Sequence, residues 1–397
     1  MVTFAPMVHG QPQQPRDFDV VMGFHQSVTP ETALVLGGLE GVRKRASSPV
    51  VESRKMALQE ALKYEKGGLE LIITALYDES EQVQRVAYQL LRHRGEEDVR
   101  RALRAYLPYH LFEEQGGMRV GRGATVDGLG RAIAHRKGKT LEVLDIATGE
   151  VLSSLPRQRN ETLFLCSPDC LIRVIQQKNA RIEVWEEGEL KWEFSGHQGR
   201  IEAIAFSPEQ QVLATGGSDA VLRLWSLKTG KLVGTLGKHL VLGAHSDRIL
   251  ALQFSATGNT LVSSSQDGTL KLWDLRTRDR PRTLHTYTLH FALSPDELTL
   301  VTTDWAGHLS LWDLSLQKVR RVIMVPQTHC LRFTPYGRIL ITAGGDRMIY
   351  FWNPYTTELI HSLSGHHQEI TALALTENGQ NLISLGRDNE LKIWGVP

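Results

Sequence analysis

The stretch that decides the fold is Asp267-Gly268-Thr269-Leu270-Lys271-Leu272-Trp273-Asp274-Leu275. Its apolar residues alternate with polar ones and lead to a Trp-Asp pair, a pattern typical of a half-buried strand. Similar runs along the last seven-tenths of the chain end at Trp185, Trp225, Trp312, Trp352 and Trp394. Successive tryptophans are separated by 40, 48, 39, 40 and 42 residues. A regular period of this length indicates a repeat architecture.

A degenerate copy, Leu141–Asp145, precedes these six, with Leu144 in the tryptophan position, 41 residues before Trp185. Residues 118–397 comprise 280 residues, which is seven times 40. A period near 40 that ends in Trp-Asp resembles the WD40 repeat, which implies a β-propeller with four strands per blade. The sequence is therefore predicted to be mainly β, with seven blades.

Residues 50–106 contain a second repeat, with a period of 30, in which 55–59 align with 85–89. The apolar residues that follow each segment have the spacing of one face of a helix. We predict two helical hairpins, broken at Gly67-Gly68, 78–80 and 95–97, after a first helix over 30–46. The stretch Val83-Gln84-Arg85-Val86-Ala87 is similar to the short HEAT-like repeats of bilin-lyase-type proteins.

Three segments follow from these patterns. Residues 1–28 form a polar tail that we expect to be disordered, 29–110 a small α-helical HEAT-like domain, and 111–397 the propeller. The last repeat ends only three residues after Trp394, so residues 111–117 are predicted to supply its missing outer strand. With the Val35–Val42 stretch, the whole arrangement resembles WD-repeat proteins of photosynthetic bacteria.

The resemblance to WD40 proteins implies a buried hydrogen-bonded tetrad of His, Ser or Thr, Asp and Trp in each well-formed blade. Three blades match it at every position, with the same spacing: His197, Thr215, Asp219, Trp225; His245, Ser263, Asp267, Trp273; and His366, Ser384, Asp388, Trp394. A His-Ser-Asp set also suggests a hydrolase triad, but a set that recurs in each blade beside a tryptophan indicates a structural role. In the other blades the tetrad is incomplete. The Asp position is occupied by Gly138 in blade one, Asn179 in blade two and Ala306 in blade five, and Met324 occupies the His position of blade six.

Composition excludes several classes of function. The 45 Lys and Arg residues nearly balance the 44 Asp and Glu residues, which gives no electrostatic reason to expect nucleic acid or an anionic membrane. Three cysteines fit a reducing compartment. We find no phosphate-binding loop, metal-binding motif or catalytic motif, so we predict a non-enzymatic protein without cofactor or metal, in the cytoplasm.

In such a propeller the four strands of each blade are called a to d, in chain order. The loops between strands b and c, and between strand d and strand a of the next blade, form the top face, where partners usually bind. Residues predicted there, and proposed as partner-binding, are Trp305, Arg200, Arg248, Lys178, Arg387 and Lys238. An exposed Trp among Arg and Lys has the composition of an interface hot spot. In the alternative, Trp305 folds inward to fill the space beside Ala306.

On the opposite face, Arg276, Arg278, Arg280 and Arg282 form the one concentrated basic patch of the propeller sequence. Our leading hypothesis is a scaffold that binds other proteins through its top face and its helical module, although that module could instead dock on a blade. The alternative is a scaffold associated with nucleic acid through this arginine loop, since arginines supply sequence-independent phosphate contacts.

Overall fold

The computed structural model describes residues 38–397, except for 107, 127–130, 157–160, 168–171, 178–179, 187–188, 238–242, 278–279, 289, 305 and 377–378. The predicted tail and the start of the helix predicted over 30–46 lie outside the described residues. The chain divides into two compact units, one running to Leu111 and the other from Phe112 to Val396. No helix of the described ranges is long and apolar enough to cross a bilayer.

The first unit is helical. From residue 38 onward, where the structure describes it, its five α-helices are α1 (Gly38–Ala46), α2 (Val51–Ala61), α3 (Glu65–Thr74), α4 (Glu81–Leu91) and α5 (Glu97–Ala105). Helices α2 to α5 occupy the two 30-residue repeats and bury Leu58, Ile72, Val83 and Val99 between them. The HEAT-like assignment stays a prediction, since it rests on this helix spacing alone.

One expectation for this unit is wrong. Gly67 and Gly68 do not break a helix but lie inside α3, and the break falls at residues 62–64. The reason is a close approach of α2, because a Cβ atom on Gly68 would stand 1.8 Å from the carbonyl oxygen of Ala61. Glycine is used here for its lack of a side chain rather than for its flexibility.

The described part of the second unit folds into seven four-stranded antiparallel sheets, as the tryptophan period predicted. Blade one consists of β2 (Arg122–Val126), β3 (Ala132–Lys137), β4 (Thr140–Asp145) and β5 (Val151–Pro156), and blade two of β6 (Glu161–Cys166), β7 (Ile172–Gln177), β8 (Ile182–Glu186) and β9 (Glu189–Phe194). Blade three consists of β10 (Ile201–Phe206), β11 (Val212–Gly217), β12 (Leu222–Ser226) and β13 (Leu232–Leu236). Blade four consists of β14 (Ile249–Phe254), β15 (Thr260–Ser265), β16 (Thr269–Asp274) and β17 (Arg282–His285). The strands of blades five and six are β18 (His290–Leu293), β19 (Thr299–Thr303), β20 (His308–Asp313), β21 (Lys318–Met324); and β22 (Thr328–Phe333), β23 (Leu340–Gly344), β24 (Met348–Trp352), β25 (Leu359–Ser364).

Blade seven combines both ends of the propeller sequence. Its strands β26 (Ile370–Leu375), β27 (Asn381–Gly386) and β28 (Glu390–Gly395) are joined by β1 (Glu113–Arg119). Strand β1 pairs antiparallel with β28, from Glu113 opposite Gly395 to Arg119 opposite Glu390. The outer strand of the last blade therefore comes from the segment that precedes the first blade, which covers the open edge of β28.

The core of the propeller lies between neighbouring sheets. Trp273 of blade four packs against Leu222, Leu224 and Leu236 of blade three. At the closure, Ile383 of blade seven meets Ile133 of blade one. The first strands of neighbouring blades, such as β14 and β18, lie side by side around a channel whose cavity is about 570 Å³. The sheets are thus held rigidly, and their loops are displayed on two faces.

Candidate functional site: tetrads and loop faces of the propeller

The tetrads of blades three and four have the geometry that the sequence spacing implies. In blade four, His245 Nε2 lies 2.8 Å from Ser263 Oγ, and its Nδ1 lies 3.0 Å from Asp267 Oδ2. Trp273 Nε1–H donates to the same Ser263 hydroxyl at 2.8 Å. Each polar atom thus has a partner in the buried interior, where a broken hydrogen bond costs about 1–3 kcal/mol.

Blade three repeats this set with Thr215 in the serine position, 2.8 Å from His197 Nε2 and 3.0 Å from Trp225 Nε1. In both blades the hydroxyl is fully buried beneath the histidine and the tryptophan. A catalytic serine needs access to a substrate and a nearby oxyanion site. These sets therefore stabilise the blades.

The carboxylate of Asp267 ties two loops together. Burial raises its pKa, but this effect is outweighed by the Thr269 hydroxyl, the Ser246 N–H and His245, which together lower the pKa to about 2. Burial also lowers the pKa of His245, against the attraction of Asp267. The folded blade thus favours a carboxylate beside a neutral imidazole.

This arrangement predicts a loss of stability in acid. Because the folded-state pKa of Asp267 is depressed from 3.8 to about 2, its contribution is fully present above the unfolded pKa and disappears as the pH falls toward 2. The contribution amounts to about 2 kcal/mol. We expect Asp267→Asn to lower the free energy of unfolding by about this amount at pH 7, and the difference from wild type to shrink on acidification. Urea unfolding across this pH range measures it.

The exposed-carboxylate variant Glu209→Gln is the control for this titration. It should follow the wild-type curve at every pH. A difference between Asp267→Asn and wild type that stays constant down to pH 2 would show that the carboxylate does not titrate as described.

Blade seven departs from this pattern. His366 Nε2 contacts Ser384 Oγ at 2.6 Å and Trp394 Nε1–H donates to Ser384 Oγ at 2.8 Å, as in the other blades. His366 Nδ1, however, is buried without a hydrogen-bond partner in the described structure, and Asp388 is exposed. The third tetrad is complete in sequence but open on its histidine–aspartate side.

Blades five and six keep the hydroxyl–indole half of the tetrad. Trp312 donates to Thr302 and Trp352 donates to Thr342, both at 3.0 Å. In blade five the role of the missing turn carboxylate is taken by Asp304, whose Oδ1 accepts the N–H groups of Ala306 and His308 at 2.9 Å each. We missed Asp304 because it stands two positions before the aligned aspartate.

On the top face, the structure describes three of the six residues proposed for partner binding. All three are exposed: Arg200 precedes the first strand of blade three, Arg248 precedes the first strand of blade four, and Arg387 lies in the b–c turn of blade seven. Trp305, Lys178 and Lys238 lie outside the described residues. Arg200 and Arg248 occupy the same position in successive blades. The carbonyl group of Arg200 accepts a hydrogen bond from the N–H of Ser218, and the carbonyl group of Arg248 accepts the equivalent bond from the N–H of Gln266.

Charged residues that we did not predict join this surface at blade seven. Glu369 binds Arg387, and its carboxylate also lies 3.4 Å from His329 Nε2. His329 in turn packs edge-on against His290, with ring centroids 6.1 Å apart. The pKa of His290 is lowered mainly by burial, and the neighbouring His329 lowers it further. The sequence signal for Glu369 was its position three residues after the tetrad histidine, where blades three and four have Arg200 and Arg248.

The top face also offers apolar contacts and a cleft. Tyr287, in the loop that follows blade four, is 67% exposed, and Met324, the last residue of β21 in blade five, is 66% exposed. Between blades five and six lies a cavity of about 400 Å³, bordered by His290, Asp304 and Gln327. Tyrosine and arginine are both enriched at protein interfaces, and this face displays both residue types.

The opposite face is less basic than its sequence indicates. Arg276 pairs with Asp274 at 3.4 Å, and Arg278 lies outside the described residues. A cleft of about 500 Å³ contains Arg280 and Arg282 but also Asp296 and Glu297. The arginines therefore face acidic groups from the neighbouring turn, which reduces their attraction for a phosphate backbone.

With the geometry described, the comparisons decide the repeat type. The profile of the WD domain, G-beta repeat family matches residues 188–226, 231–274, 325–353 and 357–395. These four stretches of the propeller are WD40 repeats. These matches fall on blades three, four, six and seven, and include the three complete tetrads.

Curated relatives match parts of the chain. Transducin beta-like protein 3 of Bos taurus is 26% identical over 278 residues, which are 65% of this chain and 29% of that protein. Periodic tryptophan protein 2 homolog of Dictyostelium discoideum is 26% identical over 207 residues, 51% of this chain and 18% of that protein. Ribosome biogenesis protein WDR12 homolog of Chlamydomonas reinhardtii is 29% identical over 107 residues, 24% of each chain. The chain thus spans less than a third of the length of these relatives.

Proposed function

We propose that this protein is a non-enzymatic cytoplasmic scaffold that binds other proteins through the top face of its propeller. The observation that carries the proposal is the exposure of Arg200, Arg248 and Arg387 on the loops of blades three, four and seven. Arginine is enriched at the centre of protein interfaces, because its guanidinium makes several hydrogen bonds and stacks on aromatic rings. Exposed Tyr287 supplies an aromatic contact on the same face.

The relatives support a role in the assembly of larger complexes. One of them is named as a ribosome biogenesis protein, and it matches over about a quarter of this chain. A rigid ring with several loop surfaces is suited to hold more than one protein at once. The helical unit of α1 to α5 is a second binding surface in this proposal.

The proposal predicts that the double variant Arg200→Ala/Arg248→Ala loses its protein partner. We expect a loss of binding free energy of about 2 kcal/mol or more, which is about thirtyfold in affinity. Tagged wild type and variant are compared by affinity capture from native lysate with mass spectrometry, followed by titration of the purified partner. Unchanged circular dichroism shows that the variant is folded.

The matched control is Arg276→Ala/Arg280→Ala, which removes the same two charges from the opposite face. It should retain the partner. If both double variants capture the same proteins as wild type, the top face is not the binding surface, and the helical unit is the next fragment to test.

The second candidate function is a scaffold associated with nucleic acid through the Arg276–Arg282 loop. The observation that favours it is the cleft in which Arg280 and Arg282 lie together. The same affinity capture tests this second function. If it holds, wild type captures nucleic acid, salt releases that nucleic acid steeply, and Arg276→Ala/Arg280→Ala no longer captures it.

A further inference from the structure

Three potential metal ligands meet on the top of blade seven. A ring nitrogen of His366 and carboxylate oxygens of Asp388 and Glu390 all lie within 4.8 Å of one another. His366 precedes strand β26, whereas the two carboxylates stand at the turn between β27 and β28. The cluster therefore joins the incoming loop of the blade to its b–c turn.

The histidine is the decisive member. The residue is only 6% exposed, and its Nδ1 atom has no hydrogen-bond partner in the described structure. This atom lies beside Asp388, since a Cβ atom built on Gly386 would stand 3.0 Å from Nδ1 and 2.5 Å from Asp388 Oδ1. The other ring nitrogen is held by Ser384 at 2.6 Å, which orients the imidazole. A buried, oriented nitrogen without a partner costs free energy, unless a proton donor or a cation occupies the space before it.

The equivalent histidines show what is different here. In blades three and four, Nδ1 of His197 and of His245 is 3.0 Å from the aspartate of the same tetrad. The residue two positions after that aspartate is Val221 in blade three and Thr269 in blade four, whereas blade seven has Glu390. Among the three complete tetrads, blade seven alone thus has a second carboxylate beside its histidine.

The local charge also favours a divalent cation. Lys392 Nζ lies 2.7 Å from Glu114 and 3.6 Å from Glu390, and it neutralises one negative charge. With Glu114, Asp388 and Glu390 ionised and Lys392 protonated, these four side chains together carry two formal negative charges. One divalent cation would balance them, and Lys392 would remain paired with Glu114.

We propose that His366, Asp388 and Glu390 bind a divalent transition-metal ion, with Zn²⁺ as the best match. One imidazole and two carboxylates are ligands that zinc accepts, and water can fill the fourth position on the exposed side of Asp388. Tetrahedral zinc needs ligand atoms about 3.3 Å apart, so the two carboxylates have to rotate inward to complete the site. The ion would clamp the loop before β26 to the turn before β28.

Zinc titration of the metal-stripped full chain, against a chromophoric chelator, tests this site. Wild type is expected to bind one Zn²⁺ with high affinity, and Glu390→Gln to bind at least about tenfold more weakly. Co²⁺ in place of zinc should give visible d–d absorption in wild type only. Mg²⁺ should not compete, because it avoids imidazole.

Glu358→Gln is the control, because it removes an exposed carboxylate from the c–d turn of blade six. It should bind zinc as wild type does. Asp388→Asn is the second ligand variant, and it should weaken binding like Glu390→Gln. No saturable binding by wild type overturns the proposal. Equal affinity in wild type and both ligand variants also overturns it, since that result means an adventitious ion only.

Discussion

Replacing Trp273 by alanine is expected to lower the free energy of unfolding by about 3–5 kcal/mol, the largest effect of any substitution considered for this protein. Trp273 is 2% exposed and packs between blades three and four. Its loss opens a cavity and also removes the N–H donor to Ser263. Urea unfolding followed by circular dichroism measures the change.

Two further variants separate packing from hydrogen bonding. Trp273→Phe keeps most of the apolar surface but removes the donor, so it should cost about 1–3 kcal/mol. Trp312→Ala is the matched deletion in blade five, where the tryptophan is only partly buried and the histidine of the tetrad is absent. It should cost less than Trp273→Ala. An equal cost at both positions would contradict a special role for the complete tetrad.

The number of blades could be predicted from the sequence because six blades carry a tryptophan near the end of the third strand, and the remaining blade repeats the pattern at the same period with Leu144 in that position. The Ser263–Trp273 pair was predictable for a similar reason, since both residues lie in one hairpin and their spacing sets their pairing. Even blades five and six, whose tetrads are incomplete, keep this hydroxyl–indole hydrogen bond.

The open tetrad of blade seven could not be predicted from its spacing, which is identical to that of the others. What differs is the charge around His366, and part of it comes from Glu114 on a strand 252 residues away in sequence. The position of Gly68 was missed for a related reason, because the close approach of Ala61 is a tertiary contact. Local patterns predict pairing within a hairpin, but not the environment that other elements create.

The ring closure leads to the second large effect, at Gly117 of strand β1. A Cβ atom there would stand 2.6 Å from the carbonyl oxygen of Leu391 on β28, which is backbone and cannot rotate away. We expect Gly117→Val to separate the two strands and lower the free energy of unfolding by about 3 kcal/mol. Urea unfolding gives the free energy, and hydrogen exchange at Leu391 and Lys392 reports the opening of this pair of strands.

Gly116 supplies a control in the same strand. A Cβ atom at Gly116 has no neighbour within 4 Å, so Gly116→Val adds the same side chain without a clash. It should change the free energy of unfolding by less than about 0.5 kcal/mol, because valine also suits an extended strand. If Gly117→Val is as stable as Gly116→Val, the pairing of β1 with β28 contributes little to holding the ring closed. If only Gly117→Val exposes the β28 amides to exchange, the stability of blade seven depends on a strand borrowed from the other end of the propeller sequence.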